Sequence, residues 1–222
     1  MSITDLVKRR GITDILHFTT NRALVGCLQT GALLSRERLP KEAYLEHILM
    51  MNCAARKDIG WLDYVNLSVS WVNPRLFGIS RDAWHRGKDL WWCVLVFDPI
   101  ITTHPGVHFT TTNNMYSGVQ RGTGEAGFDA LFAPSVVQYV DWQSKRPTST
   151  ITRLVGYPEK HPTDPQAEVL YPKSLSLEYL TAVYVPNEDT QDRAMADLYM
   201  FDNDTKVIVR PELFGSNAKP VD

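Results

Sequence analysis

The stretch Trp91-Trp92-Cys93-Val94-Leu95-Val96-Phe97 is apolar at every position and rich in β-branched and aromatic residues. A run this short, with no polar side, reads as a central strand buried on both faces. The chain must therefore supply cover on both sides of a sheet. Asp63 to Trp71 reads as a neighbour of a different kind, because it alternates. Val65, Leu67, Val69 and Trp71 are expected to face a core, while Tyr64, Asn66, Ser68 and Ser70 face the other way. That second face is polar but uncharged, which suits the lining of a cleft better than a solvated surface.

The covering elements follow from caps and periodicity. Ser2 and Asp5 have capping-box spacing for a short helix through Arg10, stopped by Gly11. Asp14 to Thr19 reads as a strand. Asn21 is expected to cap a helix with Ala23, Leu24, Cys27 and Leu28 on one face, ended by Gly31. A second amphipathic helix is expected over Lys41 to Lys57, with Arg56 in its last turn. Asn73-Pro74-Arg75 reads as a turn. Shorter extended pieces are expected at Ala32–Ser35, Val107–Thr110, Ala130–Ala133, Gln166–Pro172 and Thr181–Val185. A helix at Thr190–Tyr199 and a strand at Lys206–Arg210 follow. Short strands with peripheral helices predict an α+β domain rather than regular β-α-β alternation. At 222 residues the chain is long enough for one large domain, expected to span 1–222 with its core over about 12–210 and a loose tail at 216–222.

Composition narrows the partners. A net charge of −2 excludes a uniformly basic nucleic-acid coat, so any polyanion must be met by a local patch. Cys27, Cys53 and Cys93 lack paired spacing and read as buried thiols rather than a disulfide frame or a zinc site. His85, His104, His108 and His161 have no short-range ligand spacing, and no metal is expected. Met1 to Arg10 lacks the apolar core of a signal peptide and no run reaches membrane-spanning length, so a cytoplasmic protein without a membrane partner is expected. Gly122-Thr123-Gly124-Glu125-Ala126-Gly127 fits the letters of the dinucleotide fingerprint. A polar stretch precedes it and Pro134 follows closely, so it reads as a plain surface loop, with a flexible glycine loop near a site as the alternative.

Three places carry candidate chemistry. Glu168 stands alone at the start of a late strand, after a long polar loop from Asp141 to Pro165. That loop holds Lys145, Arg146, Arg153, Lys160 and His161, with Trp142 and Tyr157 as stacking faces. It reads either as a place to meet an anionic partner or as a solvated linker. His17 and Thr19 sit at a strand end before a helix start, where a sugar hydroxyl and a phosphate can be held. Tyr64 heads the cleft-like face of the alternating strand, either to stack on a planar ring or as a half-buried structural tyrosine.

A first strand with His-x-Thr, a middle strand with Tyr and a late strand with Glu resembles the histidine–tyrosine–glutamate pattern of NAD-dependent ADP-ribosyltransferases. More narrowly, the chain resembles the DarT family of DNA ADP-ribosyltransferase toxins. The matching stretches are Leu16-His17-Phe18-Thr19, Gly31-Ala32-Leu33-Leu34, Ala55-Arg56 leading to Asp63-Tyr64-Val65-Asn66, Asn73-Pro74-Arg75-Leu76 and Gln166-Ala167-Glu168-Val169-Leu170. The resemblance as a whole spans about Ile15 to Pro186. The thymidine-modifying branch tends to open Tyr-Arg-x-Thr-His and to carry Tyr-Val-Pro-Phe-Tyr-Phe. Here the chain reads Leu-His-Phe-Thr and Tyr64-Val65-Asn66-Leu67-Ser68-Val69, which tilts the expected base toward guanosine.

The resemblance implies a split-sheet ADP-ribosyltransferase fold that consumes NAD as co-substrate. His17, Thr19, Tyr64 and Asn66 would hold NAD, and Glu168 and Arg56 would carry the chemistry. Lys145, Arg146, Arg153 and Arg75 would contact single-stranded DNA, because a paired base hides its reactive edge. It also implies an antitoxin partner with ADP-ribosyl-hydrolase activity, of macrodomain or related type. Three alternatives stay open on sequence: an RNA target with the same chemistry, an NAD-using RNA phosphotransferase, and a non-catalytic module on an NAD fold.

Overall fold

In the computed structural model, which describes residues 1–39, 59–84, 89–116, 119–138 and 149–215, the apolar run becomes β4 (Trp92–Phe97). Cys93, Leu95 and Phe97 enter one core, and Val94 and Val96 enter a second on the opposite face. Strand β1 (Ile15–Thr20) pairs with β4 antiparallel along its full length. On the other side of β4 lies β11 (Leu180–Val185), also antiparallel, and β12 (Lys206–Val209) follows parallel to β11. The parallel step is made by α5 (Glu188–Tyr199), which starts on a reciprocal Asn187–Thr190 capping box.

A second half-sheet runs β3 (Tyr64–Val69), β9 (Glu168–Pro172), β5 (His108–Thr110) and β6 (Arg121–Gly122), antiparallel throughout. The halves join at β1 and β3, which pair only at Ile15–Val69 and Leu16–Ser68. Beyond Leu16 the two strands part, so the sheet is continuous at one end and split at the other. Two ribbons complete the strands: β2 (Ala32–Leu34) with β10 (Ser174–Ser176), and β7 (Ser135–Gln138) with β8 (Ser149–Thr152). This is the expected α+β class with a split central sheet.

Helices cover both faces. Leu6 of α1 (Ile3–Arg10), Leu24 of α2 (Asn21–Thr30), Phe128 of α4 (Gly124–Ala130) and Ala194 of α5 fill the first core. Phe77 of α3 (Pro74–Ile79), with Leu213 and Phe214, fills the second. The Ser2–Asp5 box caps α1 as its spacing requires, and Gly11 (φ 64°) ends it in the left-handed conformation that glycine reaches without a Cβ penalty. Cys27 and Cys93 are buried free thiols, and burial pushes Cys27 up to about 12.

Several expectations change. Asn21 does not cap α2: Thr20 occupies that position, and the Asn21 side chain instead bonds the backbone of Asp89 and Trp91. Trp71 leaves the face of Val65, Leu67 and Val69, because Ser70 takes a positive φ (58°) and turns the chain over, placing Trp71 in the second core. Asn73-Pro74 is a helix start rather than a turn: the Asn73 side chain accepts from the Leu76 N–H, and Pro74 takes the first helical position, where no N–H is missed. Ala130 to Ala133 is the end of α4 and a turn, not an extended piece. Part of the Asp141–Pro165 stretch is the strand β8. The helix expected over Lys41–Lys57, Cys53 and the tail 216–222 lie outside the described residues.

The glycine motif is a strand, turn and helix, not a surface loop. A Cβ on Gly127 would lie 2.4 Å from the Gly122 carbonyl carbon, so β6 and α4 touch backbone to backbone. It still does not make a dinucleotide turn, because β6 is a short antiparallel edge strand.

Candidate active site

The parting of β1 from β3 leaves polar groups at the mouth of the split. His17, just past the last β1 residue paired with β3, donates from Nδ1 to the carbonyl of Asn66 on β3 (3.0 Å). That oxygen only accepts, which assigns the proton to Nδ1 and leaves a lone pair on Nε2. Burial lowers the pKa of His17, and the Asn66 bond opposes the shift only in part, so the ring is neutral at pH 7. Thr19 is buried two residues further along the same side of β1.

Asn66 faces both ways. Its carbonyl holds His17, and its side-chain amide donates to Oε2 of Glu168 on β9 (3.0 Å). Glu168 is only 5% exposed, so its carboxylate depends on hydrogen bonds for stability. The same oxygen accepts a second bond from the backbone N–H of Asn114 (3.0 Å). Glu168 is thus held between the β3 side chain and the turn that follows β5. The first-strand histidine and the late-strand glutamate are therefore linked through one asparagine.

Tyr64 lies two residues before Asn66 on β3 and packs against Trp61 (4.9 Å between ring centroids) and His108 (5.6 Å, edge to face). Trp61 escaped the sequence reading because it lies outside any periodic segment. Arg75 donates to the Tyr116 hydroxyl (3.2 Å), which donates to Gln166 Oε1 (2.9 Å), so the start of α3 is tied to the chain just before Glu168. Arg153 spends both terminal nitrogens on its own loop, donating to the carbonyls of His161 and Pro158 (2.7 Å each) while covering Tyr157. A phosphate at Arg153 would compete with the bonds that fold that loop. His161 is not a solvated cation of the loop: it is buried, with its ring against Trp71 and Tyr157. Arg56, Lys145, Arg146 and Trp142 lie outside the described residues.

Among the described residues no group of His, Cys, Asp and Glu is placed to hold a metal ion, and no helix is long and apolar enough to cross a membrane. A buried carboxylate beside the parting of the strands, a neutral imidazole with an acceptor nitrogen and a nearby aromatic cluster suit the binding of a sugar and stabilisation of a positive charge developing on it.

Known structures share this fold. DarT of Thermus sp. 2.9 in complex with carba-NAD+ superposes with a TM-score of 0.62 at 16% identity, covering 91% of this chain and 98% of that one. The same protein in complex with ADP-ribosylated ssDNA gives 0.62 at 16% identity, over 92% and 97%. Thermosipho africanus DarTG in complex with ADP-ribose gives 0.58 at 14% identity, over 91% of this chain and 51% of that one. A search of curated protein sequences finds no match. The family model described as "ssDNA thymidine ADP-ribosyltransferase, DarT" matches residues 16–215, almost the whole chain, and the protein belongs to the DarT family.

Proposed function

We propose that this protein transfers ADP-ribose from NAD to a base of single-stranded DNA, guanosine in preference to thymidine, as the toxin of a pair whose antitoxin removes the ADP-ribose. The observation that carries the reading is the buried Glu168 carboxylate, joined through Asn66 to His17 at the split between β1 and β3. Family membership and the NAD and ADP-ribosylated ssDNA complexes of the Thermus protein support it.

In this reading His17 Nε2 accepts from a hydroxyl of the adenosine-side ribose, with Thr19 beside it. Tyr64 packs on the nicotinamide, and the α2 N-terminus takes phosphate. Arg56 orients the pyrophosphate or the target phosphate. Glu168 hydrogen-bonds the nicotinamide-side ribose. The C1′–N bond to nicotinamide breaks and its electron pair leaves with the nicotinamide. The positive charge on the ribose ring is greatest in the transition state, where the carboxylate helps most. A base nitrogen then bonds to C1′ and gives up its proton, with Glu168 as the nearest acceptor. Lys145, Arg146 and Arg75 meet the DNA backbone; Arg153 acts chiefly by shaping its loop. The family description names thymidine, but the Leu16–Thr19 and Tyr64–Val69 stretches depart from the thymidine-modifying pattern.

The base assignment is tested with NAD and single-stranded oligonucleotides that contain only dG or only dT as the variable base, with matched duplexes and RNA alongside. Modification of the dG strand, suppressed on duplexing, is expected, since extruding a paired base costs a few kcal/mol. Modification of the dT strand alone moves the assignment to thymidine, and modification of RNA alone removes DNA as the target.

His17→Ala is expected to raise the KM for NAD by roughly tenfold with a smaller change in kcat, the loss of about one hydrogen bond held in ground and transition states alike. Steady-state kinetics checks this. A collapsed kcat with unchanged KM would place His17 at the reacting carbon instead.

A further inference from the structure

We propose that Arg121 is a positioning residue for the Glu168 carboxylate, acting through Asn114; this rests on the reading of Glu168 given above. One of the two bonds on Glu168 Oε2 comes from the Asn114 backbone N–H, and Asn114 lies in a turn rather than in a strand. A turn amide holds a carboxylate in place only if the turn is fixed. Arg121 fixes it from both ends of one residue. Its Nε donates to Asn114 Oδ1 (2.7 Å) and its Nη2 to the Asn114 carbonyl (3.0 Å). Three polar groups of Asn114 are then engaged, its Oδ1 and carbonyl by one guanidinium and its backbone N–H by Glu168.

The guanidinium is itself fixed. Its carbon lies 4.9 Å from the centre of the Trp61 ring, a cation–π contact that holds it against the indole. Across the sheet, Thr110 pairs with Glu168 on one side and with Arg121 on the other, so the register of three strands sets the reach of the side chain. The next residue, Gly122, meets Gly127 backbone to backbone, and Phe128 packs edge to face on Phe109 (5.3 Å). Helix α4 therefore braces the strand that carries Arg121. The glycine motif serves to hold a catalytic carboxylate rather than a phosphate.

Lysine cannot reproduce this contact, because a single ammonium does not span the two acceptors in a fixed plane. The test uses the full chain with Arg121→Lys, Arg121→Met, Asn114→Ala and the Arg121→Met/Asn114→Ala pair. Transfer to a single-stranded oligonucleotide is measured at saturating NAD. Calorimetry gives NAD affinity, and hydrogen exchange of the Asn114 amide is followed by NMR. For Arg121→Met, kcat is expected to fall about tenfold to a hundredfold, the usual effect of a misplaced reacting group, with NAD affinity unchanged. Arg121→Lys should restore little of that loss while keeping the fold. The double variant should be no worse than Arg121→Met alone, and the Asn114 amide should exchange faster in each Arg121 variant.

Multiplicative losses in the double variant, or an Asn114 amide that stays protected, would overturn the proposal. So would a weaker and less salt-dependent grip on the oligonucleotide at unchanged kcat, which would make Arg121 a phosphate contact. If the unmutated protein transfers nothing, the assigned function fails, and the amide exchange still decides whether Arg121 holds Asn114.

Discussion

Glu168→Gln is expected to lower ADP-ribose transfer by about two to three orders of magnitude while NAD still binds and the fold survives. The geometry gives the reason. Glutamine keeps the shape and one carbonyl oxygen that can accept from Asn66 and the Asn114 amide, so the ground-state packing is preserved. It removes the negative charge, whose effect is concentrated where ribose becomes positive and which costs little to lose while NAD is merely bound. It also removes the base proposed to take the proton of the attacking nitrogen, which adds to the loss. Kinetics at saturating NAD, with calorimetry for affinity and a melting curve for the fold, separates these parts. A well-folded variant with near-normal transfer would take the catalytic role away from Glu168.

The second large effect is on stability. Gly127→Ala is expected to destabilise the protein by about 1–3 kcal/mol or more, because the new Cβ meets backbone rather than a side chain that can swing away. The added atom would sit 2.4 Å from the Gly122 carbonyl carbon and 2.8 Å from its oxygen. Relief requires α4 to move off β6, which would also shift Arg121. The melting temperature should fall by about 2–4 °C for each kcal/mol in a chain of this size. Gly26→Ala is the control of opposite sign. It lies inside α2, a Cβ there meets nothing within 4 Å, and alanine favours a helix interior by about 1 kcal/mol. Equal melting temperatures for the two variants would mean that the Gly122–Gly127 approach is not a constraint.

What the sequence made legible follows the strength of local rules. The apolar run at Trp92–Phe97 and the alternation over Tyr64–Val69 each placed a strand and its faces, because burial on one or two sides writes itself directly into residue order. Caps were equally readable at Ser2 and Gly11. Misreadings came where one residue's backbone decides the outcome. Ser70 at positive φ moved Trp71 to the other core, and the Asn73 cap with Pro74 made a helix of an expected turn.

At the site, His17, Asn66 and Glu168 are brought together as their strands suggested, whereas Asn114 and Arg121 left no trace. Their value lies in contacts across the β5–β6 turn, and no spacing rule reaches a backbone N–H that meets a carboxylate on another strand. The glycine motif has the letters of a phosphate-binding turn, but its sequence neighbours make it read as a surface loop. Its actual use, a close approach of helix and strand, needs the pairing of β5 with β6 to be known first.

The most direct test of the account is a single reaction of the purified protein with NAD and a single-stranded DNA oligonucleotide. Released nicotinamide is counted by chromatography, and the masses of the oligonucleotide and of the protein are read from the same tube. The account predicts one ADP-ribose on the oligonucleotide for each nicotinamide released, no gain on the protein, and loss of both signals in Glu168→Gln. Nicotinamide released with no gain on the oligonucleotide, or ADP-ribose found on the protein instead, would contradict it.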